Sequence, residues 1–247
     1  DDNTTLYIID IPVIESDRTR RVYVTMPIGV IFVRDDYIIT VSQKNNDIIK
    51  EIKTENVITY KKSRFLLQIL YANSKKFLSL LYKINKELES TENKLKNSLQ
   101  NEGLLKMLDL EKSLVYFTTS LKSNEVVMEK TTRGKIIKLY EEDEDLLEDA
   151  IIENKQAIEM AKIYSDILSG TMDTYASIIS NNLNAVMKIL TSVTFILAIP
   201  TLIASIWGMN VELPFQREPL GFLIITVFSI IMCIVATIWL KRKRMLN

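Results

Sequence analysis

Apolar and polar residues follow two different rhythms along this chain. Leu6-Tyr7-Ile8-Ile9, Arg21-Val22-Tyr23-Val24-Thr25, Gly29-Val30-Ile31-Phe32-Val33 and Tyr37-Ile38-Ile39-Thr40-Val41 are rich in β-branched and aromatic residues and read as strands. Pro27 and Asp35-Asp36 punctuate them, which predicts a small, mainly antiparallel sheet, followed by a short helix over Ile48 to Lys53. From Ser63 the rhythm is helical. Phe65, Ile69, Ala72, Phe77, Leu80, Leu81, Ile84 and Leu88 trace one apolar face. The pattern predicts a helix to about Leu99, a turn near Asn101-Glu102-Gly103, and a second helix from Leu104 to about Lys130, broken by Thr131-Thr132-Arg133-Gly134. A third helix starts near Glu141 and meets no Gly or Pro before Gly170. Unbroken to Trp207, it would be about 100 Å long. A stalk has a use for such a helix; a soluble domain has little.

Two runs then carry no charge at all, Ile189 to Trp207 and Leu220 to Leu240. Each is roughly 20 residues long, enough to cross a hydrocarbon core as a helix. Gly208-Met209-Asn210 closes the first. Gly provides an accessible backbone carbonyl, and Asn an uncharged oxygen that accepts bonds from a hydrated cation's waters.

The long helix also carries a polar seam. Asp173, Ser177, Ser180, Asn184, Met187, Thr191, Thr194, Ala198, Thr201, Ser205 and Gly208 alternate steps of four and three. That period of about 3.5 residues keeps one seam facing a common axis when helices bundle. The seam is small or polar almost throughout, and its flanks are Ile, Leu and Val. Two readings stand. Small residues form helix-packing faces in membranes; a polar seam also lines a pore. Asn184 and Asp173 favour the pore, because an amide or carboxylate near a membrane needs water or a partner, although Asp173 also reads as a solvated stalk residue. Small hydroxyls suit an ion that keeps its waters, as Mg²⁺ does. One such helix per chain means that a pore requires several copies. Pro200 interrupts the helical ladder, and pore water or a neighbouring helix would have to satisfy the freed carbonyl.

Charge and composition narrow the function. The 247 residues carry 31 charges of each sign, which argues against a nucleic-acid binder. There is no His, and the only Cys is Cys233, so no Cys/His zinc site, disulfide framework or Cys-His catalytic pair forms within one chain. Cys233 reads as a lipid-facing or packing residue. No phosphate loop is visible, and an enzyme is not expected. Lys241-Arg242-Lys243-Arg244 follow the second span, while the connecting loop carries Glu212, Arg217 and Glu218. Both termini are therefore expected on the cytoplasmic face, with the loop outside. The basic tail suits lipid headgroups.

Glu141, Glu142, Asp143, Glu144, Asp145, Glu148 and Asp149 cluster where the stalk helix starts. An acidic first turn is favoured by the helix dipole. Alternatively, carboxylates facing each other between subunits would sense a divalent cation.

The chain resembles the CorA family of magnesium/cobalt transport proteins, the Gly-Met-Asn divalent-cation channels. The residues that carry the likeness are Ser180-Asn181-Asn182-Leu183-Asn184-Ala185-Val186-Met187-Lys188, Pro200-Thr201, Gly208-Met209-Asn210, Glu212, Pro214 and the basic tail. It covers roughly the last 100 residues closely. Trp207 stands where the family more often has Tyr. The resemblance implies a funnel-shaped homopentamer: an α+β cytoplasmic domain joined by a very long stalk helix to a two-helix transmembrane region of the cell (inner) membrane. The expected parts are an N-terminal α/β portion (1–60), a helical hairpin (61–140), the stalk (141–188), a pore-lining span (189–208), an external loop (209–219), a second span (220–240) and a basic tail (241–247). A longer N-terminal domain in relatives raises the expectation of a segment before Asp1.

Further implications concern the site. Gly208, Met209, Asn210 and Glu212 would select ions. Met187 and Leu190 would form a hydrophobic gate, which reads equally well as bundle core, and Ala198 is smaller than the Met often found there. Asp149, with Glu148 and Asp145, would take part in regulatory Mg²⁺ binding. The expected cargo is Mg²⁺, with Co²⁺ or Ni²⁺ as candidates, and no small-molecule substrate besides metal ions. A zinc transporter on the same fold and a non-conducting, membrane-tethered coiled-coil scaffold are the alternatives.

Overall fold

A computed structural model describes residues 4–17, 20–33, 37–44, 47–54, 61–97, 101–133, 140–211 and 219–245. The chain forms two compact units, Asp1–Met172 and Asp173–Asn247. The predicted Asp35-Asp36 and Gly134 breaks fall outside the described residues.

In the first unit, β1 (Thr4–Asp17), β2 (Arg20–Val33) and β3 (Tyr37–Ser42) form an antiparallel sheet in the order β1-β2-β3. The two segments predicted on either side of Pro27 are one strand, β2. Proline is tolerated there because of the pairing register. Asp10 lies opposite Pro27 and Ile14 opposite Tyr23. The backbone N–H groups of Asp10 and Tyr23 donate to side chains of a helix, Asn124 Oδ1 (2.9 Å) and Ser113 Oγ (3.3 Å). These are therefore the pairs whose polar groups point away from each other. Pro27 thus directs its missing N–H away from β1, just past the end of β3, which stops opposite Ile28. Pro12 lies in the same parity on β1 and directs its own missing N–H to the outer edge.

One face of the sheet is core. Tyr7, Ile9, Ile28, Val30 and Phe32 are buried against α1 (Asp47–Thr54), α2 (Lys62–Asn97) and α3 (Asn101–Thr132). The helices grip the edge of β1 as well. Asn124 Nδ2 and Asn73 Nδ2 both donate to the Asp10 carbonyl, at 2.7 and 2.9 Å. Phe77 and Phe117 meet edge-to-face at 5.0 Å and join α2 to α3.

The turn predicted at Asn101-Glu102-Gly103 is instead the first turn of α3. Gly103 serves close approach rather than reversal: a Cβ there would meet Leu95 Cδ2 at 2.7 Å and Cγ at 2.9 Å. Gly103→Ala gains up to about 1 kcal/mol of helix propensity, but overpacking costs typically 1–3 kcal/mol. Net destabilisation is expected, read as a lower midpoint in denaturant unfolding; a raised midpoint would show that Leu95 yields freely.

α4 (Glu141–Trp207) is one continuous helix through Gly170 and Pro200, as predicted. In the first unit it buries Leu147, Ala150, Ala157, Ala161 and Leu168, a helical face whose alanines allow close packing. Asn154 Nδ2 donates to Leu121 O of α3 (3.0 Å), and Ser74 Oγ of α2 to Ala150 O (3.3 Å).

The second unit contains the remainder of α4 and α5 (Gly221–Arg242). Both helices are long and apolar enough to cross a membrane, with mean hydropathy of 2.2 and 2.7 over their most apolar windows. Only 6% and 11% of those windows are buried, so neither is a core helix covered by its own chain.

Candidate functional site

The acidic start of α4 divides into two kinds of residue. Asp143 is buried. It accepts from Ser63 Oγ at 3.0 Å and from Arg64 Nη1 at 3.5 Å, and its N–H donates to Tyr140 O. Glu142 pairs with Lys61 at 2.8 Å, and the Lys61 ammonium holds its carboxyl below the usual range, by hydrogen bond first and charge second. These two side chains fasten α4 to the start of α2. Asp145, Glu148 and Asp149 are exposed and share one helix face by their spacing. Among the described residues no three acidic side chains converge on a metal-sized space.

In the second unit, α5 lies against a defined face of α4. Ser192 is fully buried, and its single hydroxyl proton is shared between Lys188 O (2.7 Å) and Met245 O (3.3 Å). Cys233 Sγ donates to Ile196 O at 3.8 Å. Pro200, Ile203, Ala204 and Trp207 form one wall of an apolar groove of about 660 Å³, and α5 forms the other from Phe222 to Ile238, Cys233 included.

The polar seam is elsewhere. At about 100° per residue, Thr191, Thr194, Ala198 and Thr201 lie about 180° around the helix from Ser192, Ile196, Ile203 and Trp207. Every seam residue is exposed: Asp173, Ser177, Ser180, Asn184, Met187, Thr191, Thr194, Ala198, Thr201, Ser205 and Gly208. So are Leu190, Met209 and Asn210. Apart from Gly208, which borders the groove, the seam is therefore not the surface that packs α4 on α5. The Thr194 and Thr201 hydroxyls donate to the carbonyls of Leu190 and Leu197, at 2.9 Å each, and Ser177 to Asp173 O at 3.0 Å. With the hydroxyl proton turned to the backbone, each oxygen presents lone pairs outward. The seam thus offers acceptors.

α4 ends at Gly208-Met209-Asn210. Gly208 N–H donates to Ala204 O (2.9 Å), and Met209 N–H to Ile206 O (3.2 Å) in a tightened last turn. The negative end of the helix dipole and the last carbonyls fall here, a setting that favours cations. Glu212 and the rest of the connecting loop, with Pro214, Arg217 and Glu218, lie outside the described residues.

Ser192 and the role of Cys233 were missed from the sequence. A polar residue one position off the seam, inside an apolar span, signals a partner; so does a carbonyl freed four residues before a proline.

The sequence profile of the CorA-like Mg²⁺ transporter proteins matches residues 1–242. The chain belongs to this family. Among its CorA relatives is the cobalt/magnesium transport protein of Methanocaldococcus jannaschii, 30% identical over 98% of this chain and 77% of that protein. The cobalt/magnesium transport protein of Thermotoga maritima is 32% identical over 55% of this chain and 42% of that protein. The solved complete structure of the M. jannaschii CorA magnesium transporter superposes with a TM-score of 0.84, at 28% identity, over 98% of this chain and 77% of the other. The expected CorA architecture of a small antiparallel sheet, long helices, a long stalk helix and a C-terminal apolar helix is the one observed.

Proposed function

We propose that this chain assembles as a homopentameric channel that conducts Mg²⁺, and Co²⁺ as a second cargo, into the cell across the cell membrane. The observation that carries the reading is the direction of the polar seam. It runs down an apolar helix, opposite α5, and leaves the acceptor oxygens of Thr194 and Thr201 uncovered within a single chain. Copies arranged around an axis bring these oxygens together, while α5 stays on the outside. The names of the relatives, cobalt/magnesium transport proteins, support the choice of cargo.

Hydrated cations collect at the Gly208 carbonyl and the Asn210 amide oxygen, with Met209 beside them and Glu212 attracting them from the loop. They pass Ser205, Thr201, Ala198, Thr194 and Thr191, cross a constriction at Leu190 and Met187, and leave by Asn184, Ser180, Ser177 and Asp173. Rings of Leu190 and Met187 close the path by dewetting. An inside-negative potential drives the flux at about 2.3 kcal/mol per unit charge per 100 mV. Both termini lie in the cytoplasm, and the basic tail rests against lipid headgroups. Asp145, Glu148 and Asp149, completed by a neighbouring copy, bind internal Mg²⁺ and favour the closed state. No covalent chemistry is involved.

The test is Mg²⁺ uptake into proteoliposomes, with a Thr194→Ala/Thr201→Ala pair against Thr194→Ser/Thr201→Ser. Alanine removes the acceptor and keeps the small size. The pore reading expects uptake to fall about tenfold with Ala, equivalent to ~1.4 kcal/mol, and to survive with Ser. Equal uptake in both would support a packing seam and overturn the pore.

A further inference from the structure

Pro200 lies inside α4 and has no N–H to give, so the carbonyl four residues earlier, Ile196 O, loses its ladder partner. In a hydrocarbon setting such a carbonyl demands a substitute donor. The donor comes from the other helix: Cys233 Sγ is 3.8 Å from this same oxygen. Below it, Ser192 ties α4 to Met245 O. That carbonyl is presented by a turn in which Met245 N–H bonds Leu240 O and Arg244 N–H bonds Lys241 O, with Arg244 at φ 54. This is the six-to-one, five-to-two pattern of a Schellman ending. On the α4 side, the groove of about 660 Å³ begins at Pro200, and Cys233 is part of its α5 wall. The ties from α4 to α5 at Ser192 and Ile196 thus lie on the inner side of the proline.

We propose that Cys233 is a positioning residue for conduction: its thiol replaces the N–H that Pro200 lacks and fixes the direction of the outer turns carrying Thr201, Ser205 and Gly208-Met209-Asn210. The proposal rests on the pore reading for its effect on transport, but the thiol–carbonyl bond is testable without it.

Cys233 is the only cysteine in the chain, so the S–H stretching band of the purified full chain in lipid belongs to it alone. The proposal expects a band lowered in frequency by hydrogen bonding, which moves toward the free-thiol position in Pro200→Ala, where the restored backbone N–H reclaims Ile196 O. A band at the free-thiol frequency in the unaltered protein overturns the proposal, whatever the transport result. In uptake assays, Cys233→Ser retains a donor and should keep most of the rate. Cys233→Val should lower it severalfold in the Pro200 chain and leave it unchanged when compared with Pro200→Ala alone. Equal losses from Cys233→Val in both backgrounds would mean that only side-chain packing matters, and would also overturn the proposal. Circular dichroism and oligomer size on each variant identify chains that fail to fold; for those, Cys233→Ala replaces Cys233→Val in the same comparison.

Discussion

Asn210→Ala is expected to lower the initial rate of Mg²⁺ uptake by about a hundredfold or more, with folding and assembly unchanged. Asn210 is exposed just beyond the end of α4 and supports no other part of the chain through any bond seen among the described residues. Its removal therefore tests function with little structural cost. A hydrogen-bond acceptor is worth about 0.5–1.5 kcal/mol net. In the proposed pentamer, a ring of amides adds up to several kcal/mol, and ~2.7 kcal/mol is a hundredfold. Asn210→Asp keeps the oxygen and adds charge, so it should tighten apparent Mg²⁺ affinity while slowing release, since conduction needs binding weak enough to leave. Uptake in Asn210→Ala vesicles that matched the parent chain would remove Gly208-Met209-Asn210 from the ion path.

Asn124→Leu should produce the largest loss of stability. The Asn124 amide is fully buried and imitates a neighbouring strand, accepting from Asp10 N–H at 2.9 Å and donating to Asp10 O at 2.7 Å. Leucine fills the space but leaves the N–H without its acceptor and the carbonyl with Asn73 alone. An abandoned buried group costs about 1–3 kcal/mol, so the total is about 2–4 kcal/mol. At roughly 2–4 °C per kcal/mol, the melting temperature of the first unit falls by about 4–16 °C. Asn73→Leu should cost less, because Asp10 O keeps Asn124. Hydrogen exchange at the Asp10 amide provides a local readout, fast in Asn124→Leu and still protected in Asn73→Leu. Equal effects of the two variants would contradict this division of labour.

The legible parts of the fold were those with a long period. A seam stepping by four and three from Asp173 to Gly208, through Pro200, announces a single helix because no other structure keeps that phase over so many turns. β2 was not legible through Pro27, since whether a proline breaks a strand depends on which neighbour its nitrogen faces, and that requires the pairing register. Gly103 looked like a turn because nothing local reveals that Leu95 comes close. At the site, the seam and the end of α4 could be read from spacing, but its orientation relative to α5 could not. Asp143 was inseparable in composition from Glu142 and Glu144, and only its contacts with Ser63 and Arg64 set it apart from the exposed Asp145, Glu148 and Asp149.

The clasp on Asp10 also bears on self-association. An uncovered strand edge is a template for a stray strand, and β1 is an edge of this sheet. At its middle, Asp10 already has its N–H and carbonyl occupied by Asn124 and Asn73, and Pro12, two residues on, has no donor to offer. A strand approaching this stretch would find no ladder to join, so once α2 and α3 have docked, the two asparagines and the proline guard the folded sheet against edge-to-edge pairing.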